Sequence, residues 1–271
     1  MINVKGITKY FGKKPVVDDV SISIGKGRIT SIIGPNGAGK STVLSMVTRL
    51  LSNDSGEVLV EGENILTQPS DALAKKISIL KQTNHLQLKI TVRQLIAFGR
   101  YPYSKGRLTE EDERVIDETI QYMELEEFEH SYINELSGGQ RQRAYIGMTI
   151  AQDTEYIFLD EPLNNLDMKH SVQIMQILRR LVRERDKTII IVIHDINFAS
   201  CYSDDIVALK HGKVAISGTK DQVIKKEVLE EIYEMDMNIE VIGGQQICVY
   251  FDEKCTTANE LSALQKVKVA Q

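Results

Sequence analysis

The run Gly34-Pro35-Asn36-Gly37-Ala38-Gly39-Lys40-Ser41-Thr42 carries the spacing GxxxxGK[ST]. It follows an apolar stretch, Ile29 to Ile33, and opens a segment of helical character, the strand-before, helix-after context that this pattern requires. The chemistry available there is phosphate binding. Glycines let backbone N–H groups turn inward onto phosphate oxygens, a helix N-terminus adds positive potential, and Lys40 reaches the β- and γ-phosphates. Ser41 would then bind Mg²⁺.

A second apolar stretch, Tyr156-Ile157-Phe158-Leu159, ends in Asp160 and Glu161. Consecutive side chains diverge at a strand's end, so two adjacent acids can serve different tasks. Asp160 would hold Mg²⁺, usually through water, and Glu161 would take a proton from an attacking water as general base. A third stretch, Thr188 to Ile193, delivers His194 at its C-terminal edge, where ligands of open α/β sheets gather, and a γ-phosphate contact is its natural role. The segment Leu136-Ser137-Gly138-Gly139-Gln140-Arg141-Gln142-Arg143 precedes a helical run ending near Ala151. By its chemistry it is a second anion-binding helix start, with Ser137 as N-cap and two glycines permitting close backbone approach, or else only a helix cap.

The elements that position these groups alternate. Strand-like runs at Ile29–Ile33, Ile77–Leu80, Tyr156–Leu159, Thr188–Ile193 and Ile206–Leu209, several followed by helical periodicity, predict a largely parallel sheet with crossover helices. Ser21 to Ile24 and Glu57 to Ile65 read instead as antiparallel strands near the N-terminus. Between about Gln82 and Ala151 the strand signal vanishes, which predicts an inserted helical subdomain. Within it, Thr109 followed by Glu110, Glu111 and Asp112 reads as an N-cap with an acidic first turn, leading into a stripe of Val115, Ile116, Ile120 and Met123. Lys169 to Arg185 reads as a packed crossover helix. After about Asp252 the chain turns polar and reads as a weakly packed tail.

The 271 residues can bury a substantial core, so this is no disulfide-stapled scaffold. Cys201, Cys248 and Cys255 form no CxxC pair, as in a reduced intracellular protein. The N-terminus lacks the apolar core of a signal peptide, and no apolar run approaches the roughly 20 residues of a spanning helix. With 33 basic and 38 acidic side chains the net charge is −5, which offers no bulk attraction to nucleic acid. The short basic pairs Lys13-Lys14 and Arg141/Arg143 read as solvated charge.

Leu136 to Arg143, LSGGQRQR, is the signature by which the chain resembles the ATP-binding cassette (ABC) ATPases, over essentially residues 1 to 250. The resemblance implies an α/β P-loop NTPase cassette with a mainly parallel central sheet, an N-terminal antiparallel β subdomain and a helical subdomain inserted at about 83–151, followed by a C-terminal extension over 251–271. It implies ATP and Mg²⁺ as ligands. It also implies a head-to-tail homodimer in which each ATP lies between one copy's phosphate loop and the other's signature. Ser137 and Gly139, with Gly138 and Gln140 in the same motif, would then face the second copy's γ-phosphate, and Asp167 would cross the dimer as the D-loop acid. Asn164 and Asn165 depart from the Ser and small residue that many members carry there. Gln82 matches the Q-loop glutamine that binds Mg²⁺ and couples to a membrane partner. Phe11, with Tyr10 as the less favoured neighbour, matches the aromatic that stacks on adenine.

The stretch Thr91-Val92-Arg93-Gln94-Leu95-Ile96-Ala97-Phe98-Gly99-Arg100-Tyr101-Pro102-Tyr103 resembles a segment common in ATPases that import ferric siderophores, haem or cobalamin, with Gly99 and the Pro102 stop expected to end a helix and begin a loop. The implied function is the ATP-hydrolysing subunit of an importer of iron(III)-siderophore complexes, peripheral on the cytoplasmic face of the cell membrane, with integral membrane permease subunits and an extracytoplasmic siderophore-binding protein as partners. An ATPase of haem or cobalamin import, or a soluble cassette serving iron–sulfur cluster biogenesis, is the alternative.

Overall fold

The computed structural model describes residues 1–82 and 89–250. The expected start of the helical insertion near residue 83 and the expected extension over 251–271 lie outside the described residues. In chain order, β1 (Ile2–Phe11) and β2 (Lys14–Ile24) form a hairpin, and β3 (Ile29–Ile33) runs through the phosphate-loop sequence into α1 (Lys40–Val47). There follow β4 (Ser55–Val60), β5 (Glu63–Asn64), the single turn α2 (Ser70–Leu73) and β6 (Ile77–Leu80). Then come α3 (Val92–Phe98), α4 (Tyr101–Ser104), α5 (Glu110–Tyr122) and α6 (Gly138–Ala151), with no strand among the described residues between them. The chain continues through β7 (Tyr156–Asp160), α7 (Met168–Arg185), β8 (Thr188–Val192), α8 (Ile196–Tyr202), β9 (Asp205–Lys210) and β10 (Lys213–Thr219). It closes with α9 (Lys220–Val223), α10 (Lys226–Tyr233), β11 (Asn238–Ile242) and β12 (Gln245–Val249).

Six strands form the central sheet in the order β10-β9-β3-β8-β7-β6, all parallel except the β10 edge. A sheet covered on both faces needs strands that can be buried at every position, and β3, β7 and β8 are mostly apolar and buried throughout. Their alternation divides the residues between two cores. Ile33, Ile157, Leu159, Ile189 and Ile191 face the helices, whereas Ile32, Tyr156, Phe158, Ile190 and Val192 face α1 and the antiparallel sheet β2-β1-β4-β5. Truncating Phe158, 1% exposed, to alanine would cost about 3–5 kcal/mol, several times the ~1 kcal/mol of a helix cap. Packing, rather than local propensity, therefore fixes where the strand ends carry their side chains.

The helical region shows how sequence punctuation can mislead. Gly99 does cap the end of α3 at Phe98, as expected, but no loop follows: its φ of −59° keeps the chain in a helical conformation and α4 begins at Tyr101 with Pro102 in its first turn, where a missing N–H costs nothing. Glycine is required there for proximity: a Cβ would lie 2.1 Å from the Met148 carbonyl oxygen on α6. Asp112 also departs from a solvated first-turn acid. It closes a capping box with Thr109 and is 2% exposed, accepting at 2.8 Å from Arg100 Nε, while Arg100 Nη1 donates to the Ala151 carbonyl at 2.9 Å. Arg143, expected in solvent, keeps only 11% of its side chain exposed.

Candidate functional site

The phosphate loop begins where β3 ends. Gly34 has φ 138°, and a Cβ there would sit 2.1 Å from the Leu209 carbonyl oxygen of β9, so only glycine lets the loop lie this close to the sheet. Its N–H donates at 3.1 Å to the Tyr233 hydroxyl at the end of α10. Pro35, Asn36, Gly37 and Ala38 turn the chain, with Ala38 N–H donating to the Pro35 carbonyl at 3.2 Å, and Gly39 caps α1. Lys40, 5% exposed, donates through Nζ to the carbonyls of Gly34 at 2.9 Å and Pro35 at 3.1 Å. Burial pulls its pKa below the ordinary lysine value, against the opposing pull of Glu161 and Asp160. Ser41 and Thr42 follow in the first turn of α1.

At the tip of β7, Asp160 is 6% exposed and accepts a 2.8 Å hydrogen bond from Ser41 Oγ. Burial pushes its pKa up; the Ser41 hydroxyl opposes this and the Glu161 charge reinforces it. Glu161 adopts φ 52° and its N–H donates to the Val192 carbonyl of β8 at 3.2 Å, so the next carboxylate leaves the strand in a different direction. Its side chain is 8% exposed and collects donors. Gln82 Nε2 lies 2.6 Å from Oε2, His194 Nε2 lies 2.5 Å from Oε1, and Asn164 Nδ2 also donates to Oε2.

Lys40, Ser41, Asp160, Glu161, Gln82 and His194 are thus linked in one constellation at the C-terminal edge of the parallel strands. The signature stands apart. Ser137 caps α6 in a reciprocal box with Gln140, and Gly139 packs beneath His170, where a Cβ would lie 2.5 Å from the ring. Gly138 lies nearest the Asn165 carbonyl. Asp167 caps α7 by accepting from His170 N and Nδ1, both at 2.8 Å. Among the described residues no hydrogen bond or ion pair joins Ser137 or Asp167 to the phosphate loop. Phe11, 57% exposed, and Tyr10, 49% exposed, end β1 with open faces. Two contributors had no role assigned from the sequence: Asn164, noticed there only as a departure from the usual pattern, and Tyr233, for which spacing offered no signal.

The two-core sheet, the phosphate loop and the Asp160-Glu161 strand end together define an ATP-binding cassette, and the chain belongs to the ABC transporter family, whose sequence pattern matches residues 17–164. It is 57% identical over 251 residues to the petrobactin import ATP-binding protein YclP of Bacillus subtilis (strain 168), covering 93% of this chain and 100% of that protein. It is 49% identical over 244 residues to the petrobactin import ATP-binding protein FatE of Bacillus anthracis, covering 90% and 97%. Among solved structures it is similar to the dimeric cassette MJ0796 in a post-hydrolysis state bound to ADP and Pi, with a TM-score of 0.72 and 32% identity over 81% of this chain and 99% of that one.

Proposed function

We propose that the chain is the ATP-hydrolysing subunit of an importer of iron(III)-siderophore complexes. The observation that carries the chemistry is the Glu161 carboxylate, held between Gln82 and His194 beside the Ser41–Asp160 pair. The cargo is inferred from the two petrobactin import relatives. In this reading residues 1–250 are one cassette, with the helical subdomain inserted at about 83–151 and an extension over 251–271.

The phosphate loop and Lys40 hold the nucleotide's phosphates, and Phe11 stacks on its adenine. Ser41, Asp160 and the amide oxygen of Gln82 form an oxygen donor set suited to Mg²⁺, a cation usually held by one or two carboxylates together with substrate phosphates. Among the described residues no group of three His, Cys, Asp or Glu side chains is placed to hold a metal. When bound, Mg²⁺ would neutralise charge on the β- and γ-phosphates. Glu161 takes the proton of the attacking water, and His194 orients the γ-phosphate. Catalysis is then positioning and electrostatics, with little covalent work for the protein.

Two copies stack head to tail, with Ser137, Gly138, Gly139 and Gln140 of one completing the other's site and Asp167 crossing between them. Among the described residues no helix is long and apolar enough to cross a membrane. The reading assigns membrane passage to permease subunits, which hold the dimer at the cytoplasmic face and receive cargo from an extracytoplasmic siderophore-binding protein. The test is affinity purification of the tagged full chain from its host after mild detergent extraction, together with uptake of iron-loaded petrobactin. Copurification of an integral permease and loss of uptake in Lys40→Ala are expected. A chain that never associates with a membrane protein would overturn the importer reading.

A further inference from the structure

We propose that Asn164 is a positioning residue for Glu161, its side-chain amide fixing the carboxylate for water activation. The inference rests on the ATPase reading above and on a contact that reading does not use. Glu161 and Asn164 are joined twice. The Asn164 N–H donates to the Glu161 carbonyl at 3.2 Å, closing a tight turn through Pro162 and Leu163, and Asn164 Nδ2 donates to Glu161 Oε2. Pro162 fixes φ at the second position of that turn, and Leu163 and Leu166 pack against the main core, so the turn is anchored on both sides of Asn164. Asn165 follows with φ 61°, a left-handed conformation that asparagine tolerates better than most residues.

The consequence lies in how Glu161 is restrained. Its φ of 52° is a conformation that L-residues pay roughly 1–2 kcal/mol to adopt, so its direction has to be imposed from outside. His194 restrains Oε1, and Oε2 is shared by Gln82 and Asn164. Gln82 comes from the segment after β6 and His194 from the end of β8, whereas Asn164 is tied to Glu161 by its own turn. Asn164 is therefore the donor whose place is set by the same backbone that sets the base. Beside them opens a cavity of about 290 Å³, lined by Glu161, Asn164, His194, Leu163, Leu166 and Phe198, with room for water against the carboxylate. A serine in place of Asn164 would be shorter by one heavy atom and keep a single donor.

The test compares ATP turnover, KM and ATP affinity of the full chain carrying Asn164→Leu, Asn164→Ser, Glu161→Gln and the Asn164→Leu/Glu161→Gln pair. Asn164→Leu is expected to lower kcat about 10- to 100-fold, the scale of losing a hydrogen bond to a charged group, with ATP affinity within about twofold of the parent. Asn164→Ser should recover part of that loss. In the Glu161→Gln background the leucine should cause no further fall, because its effect runs through the carboxylate. Parental kcat in Asn164→Leu, or an equal further loss in the Glu161→Gln background, overturns the proposal. Should the leucine variant fail to fold, Asn164→Asp, of the same shape but without the donor, must lose at least as much kcat, and a folded aspartate variant with parental turnover overturns it equally. Unchanged turnover in Glu161→Gln is a separate result, removing the general-base reading itself.

Discussion

Ser41 Oγ donates to Asp160 Oδ1 across 2.8 Å, so that the first turn of α1 and the end of β7, 119 positions apart in sequence, meet at one carboxylate. Burial raises the pKa of that carboxylate above its ordinary value of 3.8. The ionised form is thus less favourable in the fold than in the unfolded chain. The resulting penalty is absent below pH 3.8 and complete once the pH exceeds the raised folded value.

Asp160→Asn should therefore abolish Mg²⁺-dependent turnover and still stabilise the nucleotide-free protein at pH 7. A Tm above the parent's is expected at pH 7. Thermal melts in chelator at pH 7 and near pH 4 check the sign, because the gain should shrink at the lower pH. A variant less stable than its parent at pH 7 contradicts the electrostatic account.

Glu161→Gln should retain ATP binding and lose turnover by about 10² to 10⁴, the contribution expected of a general base. Equilibrium binding and phosphate release, measured on the same preparation, separate the two quantities. Hydrolysis at the parental rate would falsify the assignment.

Lys40→Ala should act one step earlier. With Lys40 only 5% exposed and its ammonium at the mouth of the phosphate loop, the expected effect is ATP affinity weakened at least about tenfold, read by nucleotide fluorescence titration. Parental affinity would mean that phosphates bind elsewhere.

Arg100→Met should unfold the helical region far more readily. It strands Asp112, 2% exposed, as an unpaired buried charge, and losing one partner of such a pair costs about 3–5 kcal/mol. Burial by itself would raise the pKa of Asp112, but the hydrogen bonds from Thr109 and Arg100 outweigh it and the carboxyl titrates below its ordinary 3.8. Its contribution is therefore present above pH 3.8 and lost as the pH falls through the depressed folded value. Urea midpoints at pH 7 and pH 3 test both statements, and a midpoint at pH 7 equal to the parent's would refute them.

Much of the catalytic edge was readable because its strands are short runs dominated by Ile, Leu and Val, interrupted only by small polar residues such as Ser31 and Ser78: Ile29–Ile33 and Ile77–Leu80 match β3 and β6 to the residue. Strands exposed on one face were harder. β1 and β2 carry Lys5, Lys9, Asp18 and Asp19 among their apolar residues, and only the last four residues of β2 read as strand. The β11–β12 hairpin did display a turn signal in Gly243-Gly244, whose φ values of 59° and 79° suit a two-residue hairpin turn, but its flanks are too polar to announce strands. Asn164 was visible only as a departure from a familiar pattern, and its bond to Glu161 depends on a turn that spacing does not reveal. Arg100 read as part of a helix stop because nothing local shows that Asp112, 12 positions later, would be buried against it.

The bond from Gly34 to Tyr233 spans 199 positions, and β3 itself pairs only with β8 and β9. During synthesis at about 5–20 residues per second, some 10–40 s pass between the emergence of the phosphate loop and that of the tyrosine which closes its first amide. For most of that interval, until β8 (Thr188–Val192) emerges, the backbone groups of β3 have no strand to pair with. The nascent chain therefore acquires its nucleotide loop among its earliest segments but completes it among its last, and a ribosome-bound fragment ending before β8 should engage holdase chaperones through this one strand.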